Sequence, residues 1–345
     1  MSITLIAHLI TPQALAQQYP LDATVRTTIQ QFRTQIQAIL AGQDRRLVVV
    51  IGPCSIHDVT AALAYAEQLN RLRLRYQESL LIVMRTYFEK PRTLAGWKGL
   101  INDPQFDGST QINQGLQLTR QLLLHINQLG LPTATEFLDC LISQYLYDLI
   151  AWGAIGARTS ESQQHREMAS AMPCPIGFKN NTAGNLQVAI DAIRVAREPQ
   201  TLLTQDKQGA IALYRTPGNP CSHLILRGGR QPNYQATAVA LACEQLHAFQ
   251  LPERLLIDCS HGNCQKDYRR QLMVVDDLCQ QIRAGSRAIA GIMVESFLVA
   301  GKQPARTLGP STYGQSITDP CLGWRDSERL LAALAEAVAS RFSRG

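Results

Sequence analysis

What most limits the folds open to this chain is a repeated pattern rather than a repeated sequence. Short apolar runs rich in Val and Ile alternate with longer amphipathic stretches, the mark of repeated strand–helix units around a parallel sheet. Eight such runs occur: RLVVVIG (46–52), LLIVMRT (80–86), LPTATEF (131–137), WGAIGAR (152–158), CPIGFKN (174–180), SHLILRGG (222–229), RLLIDCS (254–260) and AGIMVES (290–296). Eight units over roughly 250 residues are what an α/β protein of the (β/α)8 barrel type requires. A doubly wound open sheet is the alternative, but no GxGxxG follows the first run.

Other segments attach to that repeat. Residues 1–45 form an N-terminal extension in which VRTTIQQFRTQIQAIL has helical periodicity and stops at Gly42. Residues 46–345 are then the barrel, with two long connections at 87–130 and 181–221. The second holds TQDKQGAIALYRTPGNP, which reads as a β-hairpin inserted near 203–220, before the sixth barrel strand.

Composition excludes several functions. Thirty-three basic against 27 acidic residues leave a net charge of +6, enough to favour anionic partners and too mild for a nucleic-acid binder. Nine cysteines, an odd number with no dense spacing and no secretory leader, point to reduced thiols and a cytoplasmic location. The N-terminal MSITLIAHLI is apolar but has no Lys or Arg before Arg26, and no stretch approaches the roughly 18 apolar residues of a membrane span.

The chemistry collects where the apolar runs end. Cys54, Arg85, Glu136, Arg158, Lys179, Arg227, His261 and Glu295 each stand at or just past a carboxyl end, and in a barrel those ends share the face that carries the active site. A single charged residue at such a place is usually only solvated; a charged or metal-capable one after every strand is harder to explain that way. Arg85, Lys90, Arg92, Arg158, Lys179 and Arg227 are too many cations to leave unpaired together. A phosphate ester, at about −1.5 to −2, is the natural counter-charge. In RTYFEKPRT (85–93), Lys90, Pro91, Arg92 and Thr93 lie on a Pro-stiffened loop suited to a phosphate at the rim.

Cys54, His261 and Glu295, with Asp319 of SITDPCLGW, make a plausible ligand set for one divalent ion, Mn2+, Fe2+, Co2+ or Zn2+. Cys54 follows a strand and precedes a helix, with Ser55 and Asp58 read as a capping box whose positive helix end would favour a thiolate. Cys259 reads as core and Arg71, Arg73 and Arg75 as a solvated helix face; His57 and His165 fall within helical runs and read as structural.

In this order, VVVIGPCSIHD, MRTYFEKPRTLAGWKGLINDP, LPTATEFLD, WGAIGARTSESQ, PIGFKN, HLILRGG, IDCSHGN, GIMVES and SITDPCLGW resemble the type I 3-deoxy-D-arabino-heptulosonate 7-phosphate (DAHP) synthases from about residue 45 onward. The resemblance implies a (β/α)8 barrel that condenses phosphoenolpyruvate with erythrose 4-phosphate and releases phosphate, with a divalent metal. By motif, Cys54, His261, Glu295 and Asp319 correspond to metal ligands. Arg85, Lys90, Glu136, Ala157 (through its backbone N–H), Arg158, Lys179 and Arg227 correspond to the phosphoenolpyruvate pocket, and Pro91, Arg92 and Thr93 to the aldose-phosphate end. Lys90, between the two, is the candidate for proton delivery. The resemblance also implies a homo-oligomer, dimer or tetramer, and an aromatic amino-acid effector near Pro173, Thr204 and Tyr214, with Phe, Tyr, Trp and loss of regulation all open. The related synthase of an eight-carbon sugar acid shares the chemistry, but KPRT and the long N-terminal arm favour the seven-carbon enzyme. A barrel that kept only an effector pocket would not need all four metal ligands.

Overall fold

The computed structural model describes residues 3–91, 96–305 and 312–342. Eight parallel strands close into a barrel: β1 (Leu47–Gly52), β2 (Leu80–Arg85), β3 (Thr133–Glu136), β4 (Trp152–Ile155), β5 (Ile176–Lys179), β8 (His223–Leu226), β9 (Leu255–Asp258) and β10 (Ile289–Glu295). The two numbers skipped, β6 (Thr201–Gln205) and β7 (Ile211–Arg215), are the antiparallel hairpin expected before the sixth barrel strand. Short β11 (Val299–Lys302) and β12 (Gln315–Ser316) pair beyond the barrel. Several strands stop earlier than their apolar runs, because the last residues of each run already turn over the mouth.

The alternation of side chains sorts the strands into two cores. Leu47, Val49 and Ile51 face the surrounding helices, while Val48 and Val50 point inward with Leu81, Val83, Trp152, Ile225, Leu256 and Met293. The helices between strands include α3 (Val59–Arg75), α4 (Ile112–Gln128), α6 (Gln163–Ala171), α7 (Gln187–Arg197), α8 (Ala236–Ala248) and α9 (Arg270–Arg283); short α5 (Ser143–Leu146) follows β3 and α10 (Trp324–Phe342) ends the fold.

The extension consists of α1 (Pro12–Gln18), which sequence periodicity did not single out, and α2 (Ala23–Leu40). Asp22 caps α2 by accepting from the Val25 N–H at 2.9 Å, and Gly42 takes a left-handed φ of 78° just past the end. Ile36, Ile39 and Leu40 of α2 pack with the inward barrel residues, so α2 covers the N-terminal opening of the barrel. Arg33 fastens it by donating to the Ile150 and Tyr147 carbonyls at 2.6–2.9 Å. With the lower end closed, ligands reach the interior at the carboxyl ends of the strands.

Candidate active site

Each strand delivers a different part of the site. After β1 the chain turns through Gly52, where a Cβ would lie 2.6 Å from the Arg85 carbonyl oxygen, so only glycine lets β1 and β2 approach there. Cys54 follows, fully buried, with its Sγ 3.5 Å from Asp319 Oδ2. Donor atoms of Cys54, Glu295 and Asp319 all lie within 4.8 Å of one another. His261 Nε2 is 3.8 Å from Glu295 Oε1, which sets a fourth donor beside this group, though outside the 4.8 Å that the other three share. One soft sulfur, one imidazole and two carboxylates around one small volume fit a divalent transition ion or zinc.

The surroundings hold these donors in place. His261 sits at a left-handed φ of 56°, a conformation uncommon outside glycine and here imposed where the chain leaves β9. Its Nδ1 lies 3.0 Å from Asp258 Oδ2 and 2.7 Å from Ser260 Oγ, so Nδ1–H donates and the Nε2 lone pair points to the cluster. Asp258 is fully buried and also pairs with Lys179 at 3.1 Å. Burial pushes its carboxyl up, but Lys179, His261 and Ser260 overcome this and hold it well below the usual range. Glu295 accepts from Arg85 at 3.0 Å, and its backbone is clamped on both sides by Gln271 at 2.9 and 3.1 Å.

Above the donors opens a cavity of about 340 Å³ bordered by Lys90, Pro91, Glu136, Ala157, Arg158, Lys179, Arg227, His261 and Asp319. Among the described residues, no carboxylate lies within ion-pair distance of Lys90, Arg158 or Arg227. Burial at Lys90 disfavours its ammonium, and Cys54, Glu295 and Asp319 more than restore it. The Ala157 N–H, at the wall, donates to no acceptor among the described residues. Three unpaired cations and a free N–H make a mouth built for an anion.

Some expectations change. Arg85 does not border the cavity: it is 1% exposed and lies beneath the donors, stacked 3.5 Å over the Tyr87 ring and donating to the Pro53 and Cys54 carbonyls and to Glu295. Ser55 and Asp58 form no capping box. Asp58 alone caps α3, accepting from Ala61 at 3.0 Å, while the Ser55 hydroxyl is shared with Thr318 at 2.7 Å. The helix therefore starts at Val59, five residues past Cys54 and too far to activate its thiol, and burial followed by Glu295 pushes the thiol up to about 12. His57 precedes the helix rather than lying in it, and both its buried ring nitrogens lack partners among the described residues. His165 is helical and held by Ser162 and the Leu138 carbonyl at 2.8 and 2.7 Å. Arg92 and Thr93 lie outside the described residues. Asp258 is a functional residue that sequence reasoning does not single out, although a carboxylate three positions before His261 is visible in IDCSH.

Fold and site together define an enzyme of the (β/α)8 barrel class with cations gathered beside a cluster of metal-type donors. The sequence pattern of the DAHP synthetase I family matches residues 23–332, and the chain belongs to that family. It is 60% identical over 337 residues to the Trp-sensitive phospho-2-dehydro-3-deoxyheptonate aldolase of Escherichia coli K12, covering 98% of this chain and 97% of that one. It is 55% identical, with the same coverage, to the Trp-sensitive enzyme of Buchnera aphidicola. The structure of a phospho-2-dehydro-3-deoxyheptonate aldolase from Francisella tularensis superposes with a TM-score of 0.96 at 47% identity, covering 99% of both chains.

Proposed function

We propose that this chain condenses phosphoenolpyruvate with D-erythrose 4-phosphate and water to give DAHP and inorganic phosphate, the first step of the shikimate pathway to aromatic amino acids. The observation that carries this reading is a set of three cations, without ion-pair partners among the described residues, beside the convergent donors of Cys54, Glu295 and Asp319 and the neighbouring His261. Cys54, His261, Glu295 and Asp319 hold one divalent ion. Bound there, it supplies Lewis acidity toward the aldehyde of the aldose phosphate.

The protein's own groups do the rest. Arg158, Lys179, Arg227 and the Ala157 N–H take the carboxylate and phosphate of phosphoenolpyruvate, fixing its C3 toward the aldehyde carbon. Lys90 and Pro91, with Arg92 and Thr93, receive the phosphate of the aldose. As C3 attacks the aldehyde carbon, the negative charge that develops is met by the Lys90 ammonium, the candidate proton donor. Water then adds at C2, and the hemiketal phosphate collapses to release phosphate while the arginines hold the leaving charge. Glu136, which borders the same cavity, orients the water or the cations.

Phosphate release measured with phosphoenolpyruvate and either erythrose 4-phosphate or arabinose 5-phosphate tests the assignment. Preference for the five-carbon sugar would assign the chain to the eight-carbon synthase instead.

Regulation follows its relatives, which are Trp-sensitive by name. We place the effector at the β6–β7 hairpin near Pro173, Thr204 and Tyr214, where the Thr204 hydroxyl is buried without a partner among the described residues. Titration of activity with Trp, Phe and Tyr decides among them. The extension and hairpin serve subunit contacts in a homodimer or homotetramer: Ile3, Ile6, Leu203, Ile211 and Leu213 are 67–97% exposed apolar side chains. The Gln13 N–H, donating to the Lys207 carbonyl at 2.8 Å, ties the two segments together. Nine free cysteines fit a reducing cytoplasm, and no described helix is long and apolar enough to cross a membrane.

A further inference from the structure

At the opposite end of the barrel four arginines gather. Arg45, Arg254 and Arg287 stand one or two residues before β1, β9 and β10, which are neighbours in the barrel, so their starts share one rim. Arg341, near the end of α10, joins them. Arg254 donates to the Arg287 carbonyl at 2.7 Å, and Arg341 to the adjoining Ser286 carbonyl at 3.2 Å and to the Arg45 carbonyl at 2.6 Å. Two guanidinium groups are thereby fixed on consecutive carbonyls with that of Arg287 near them, while Arg45 contributes its carbonyl.

Carbonyl bonds satisfy some donors but cancel no charge. Among the described residues no carboxylate pairs with any of the four, because the nearby acids are engaged elsewhere. Asp44 pairs with Arg46 at 2.7 Å, Glu253 with His247 at 2.8 Å, and Glu336 with Arg283 at 3.7 Å. The Nε of Arg254 is buried with no partner among the described residues. Burial and then the neighbouring Arg341 and Arg287 pull the Arg254 guanidinium below its ordinary value, as uncompensated like charges do.

Beside the arginines runs a groove of about 670 Å³ between α8 and α9, lined by Ala236, Val239, Ala240 and Ala284, by Arg254 and Arg287, and by Glu253, whose carboxylate is paired with His247. We propose that this groove binds a small phosphomonoester with an apolar body, its phosphate on the arginines and its body along the alanines, as a second site separate from the catalytic mouth. A dianion is favoured over a carboxylate because several cations, rather than one, converge.

Cys243 lines the same groove and is partly exposed, which gives a readout blind to the catalytic mouth. Its alkylation by iodoacetamide is followed by peptide mass spectrometry with phenyl phosphate, and separately with benzoate, as the probe. Phenyl phosphate is expected to slow Cys243 alkylation, by roughly tenfold when it exceeds its dissociation constant by the same factor. The effect should weaken in Arg287→Gln, an exposed side chain whose loss spares the fold, and in Arg254→Gln, while turnover in Arg287→Gln stays unchanged. Unaltered alkylation at millimolar phenyl phosphate, undiminished protection in both variants, or equal protection by benzoate would overturn the proposal.

Discussion

Asp258→Asn separates a wired site from one that merely collects side chains. In the native arrangement Oδ1 accepts from the Ser260 backbone N–H at 3.0 Å and hydroxyl at 2.5 Å, while Oδ2 faces Lys179 at 3.1 Å and His261 Nδ1 at 3.0 Å. All these partners are donors. Asparagine turns one of the two acceptors into an NH2, so one pair of donors must face another donor. With NH2 in place of Oδ2, the relief open to His261 is to move its proton to Nε2, the nitrogen aimed at Glu295, where it can no longer serve as a ligand. With NH2 in place of Oδ1, Ser260 loses both acceptors and the turn carrying His261 loosens. Either way the metal end suffers, and loss of such an outer partner costs about 10–100-fold in metal affinity or activity. Lys179 also becomes an unneutralised buried charge, at a cost on the order of 3 kcal/mol in folding stability. The assay is phosphate release from phosphoenolpyruvate and erythrose 4-phosphate, with metal added back after chelation and folding checked by circular dichroism. A folded variant whose kcat/KM and metal affinity stay within about threefold of the parent would refute this wiring.

Three further substitutions probe other parts. Arg158→Ala removes an exposed, unpaired cation from the mouth, so KM for phosphoenolpyruvate should rise roughly tenfold or more while stability holds; unchanged saturation kinetics would contradict its role. Gly156→Ala places a Cβ 1.9 Å from Glu136 Oε1, the end of a flexible side chain that must swing away, so activity should fall while stability in denaturant melts holds; a fully active variant would show that the position of Glu136 does not matter. Burial, followed by Asp139, raises the Glu89 carboxyl from 4.5 to about 8, so the folded state keeps a proton that the unfolded state gives up. Stability should therefore fall by up to about 1.4 kcal/mol per pH unit between those values, and Glu89→Gln should remove that slope; an identical pH profile of unfolding would reject it.

The barrel was legible because its strands are buried on both faces: LVVVIG has no polar residue to lose among the packed helices, and LLIVMR has none before the Arg85 that ends it. The ring of strand-end residues was legible for the same topological reason, since parallel strands bring their carboxyl ends to one rim. What escaped depends on distances between side chains from different segments. Arg85 stands where a substrate cation was expected, but its neighbours Glu295, Tyr87 and two carbonyls draw it under the floor. Ser55 has the right spacing from Asp58 for a helix cap, yet the Thr318 hydroxyl from the far end of the chain claims it. Asp258 looked like one more strand residue because nothing local shows that Lys179 and His261 both reach it. The rim arginines gave no sign at all, being scattered from residue 45 to residue 341 and joined only by barrel closure.

X-ray absorption of the zinc-loaded protein examines the shared ion directly. The expected spectrum has one sulfur at about 2.3 Å and nitrogen or oxygen neighbours near 2.0–2.2 Å, with the sulfur shell absent in Cys54→Ala. A parent spectrum containing no sulfur, or a sulfur shell that survives in Cys54→Ala, would contradict a site built from Cys54, His261, Glu295 and Asp319.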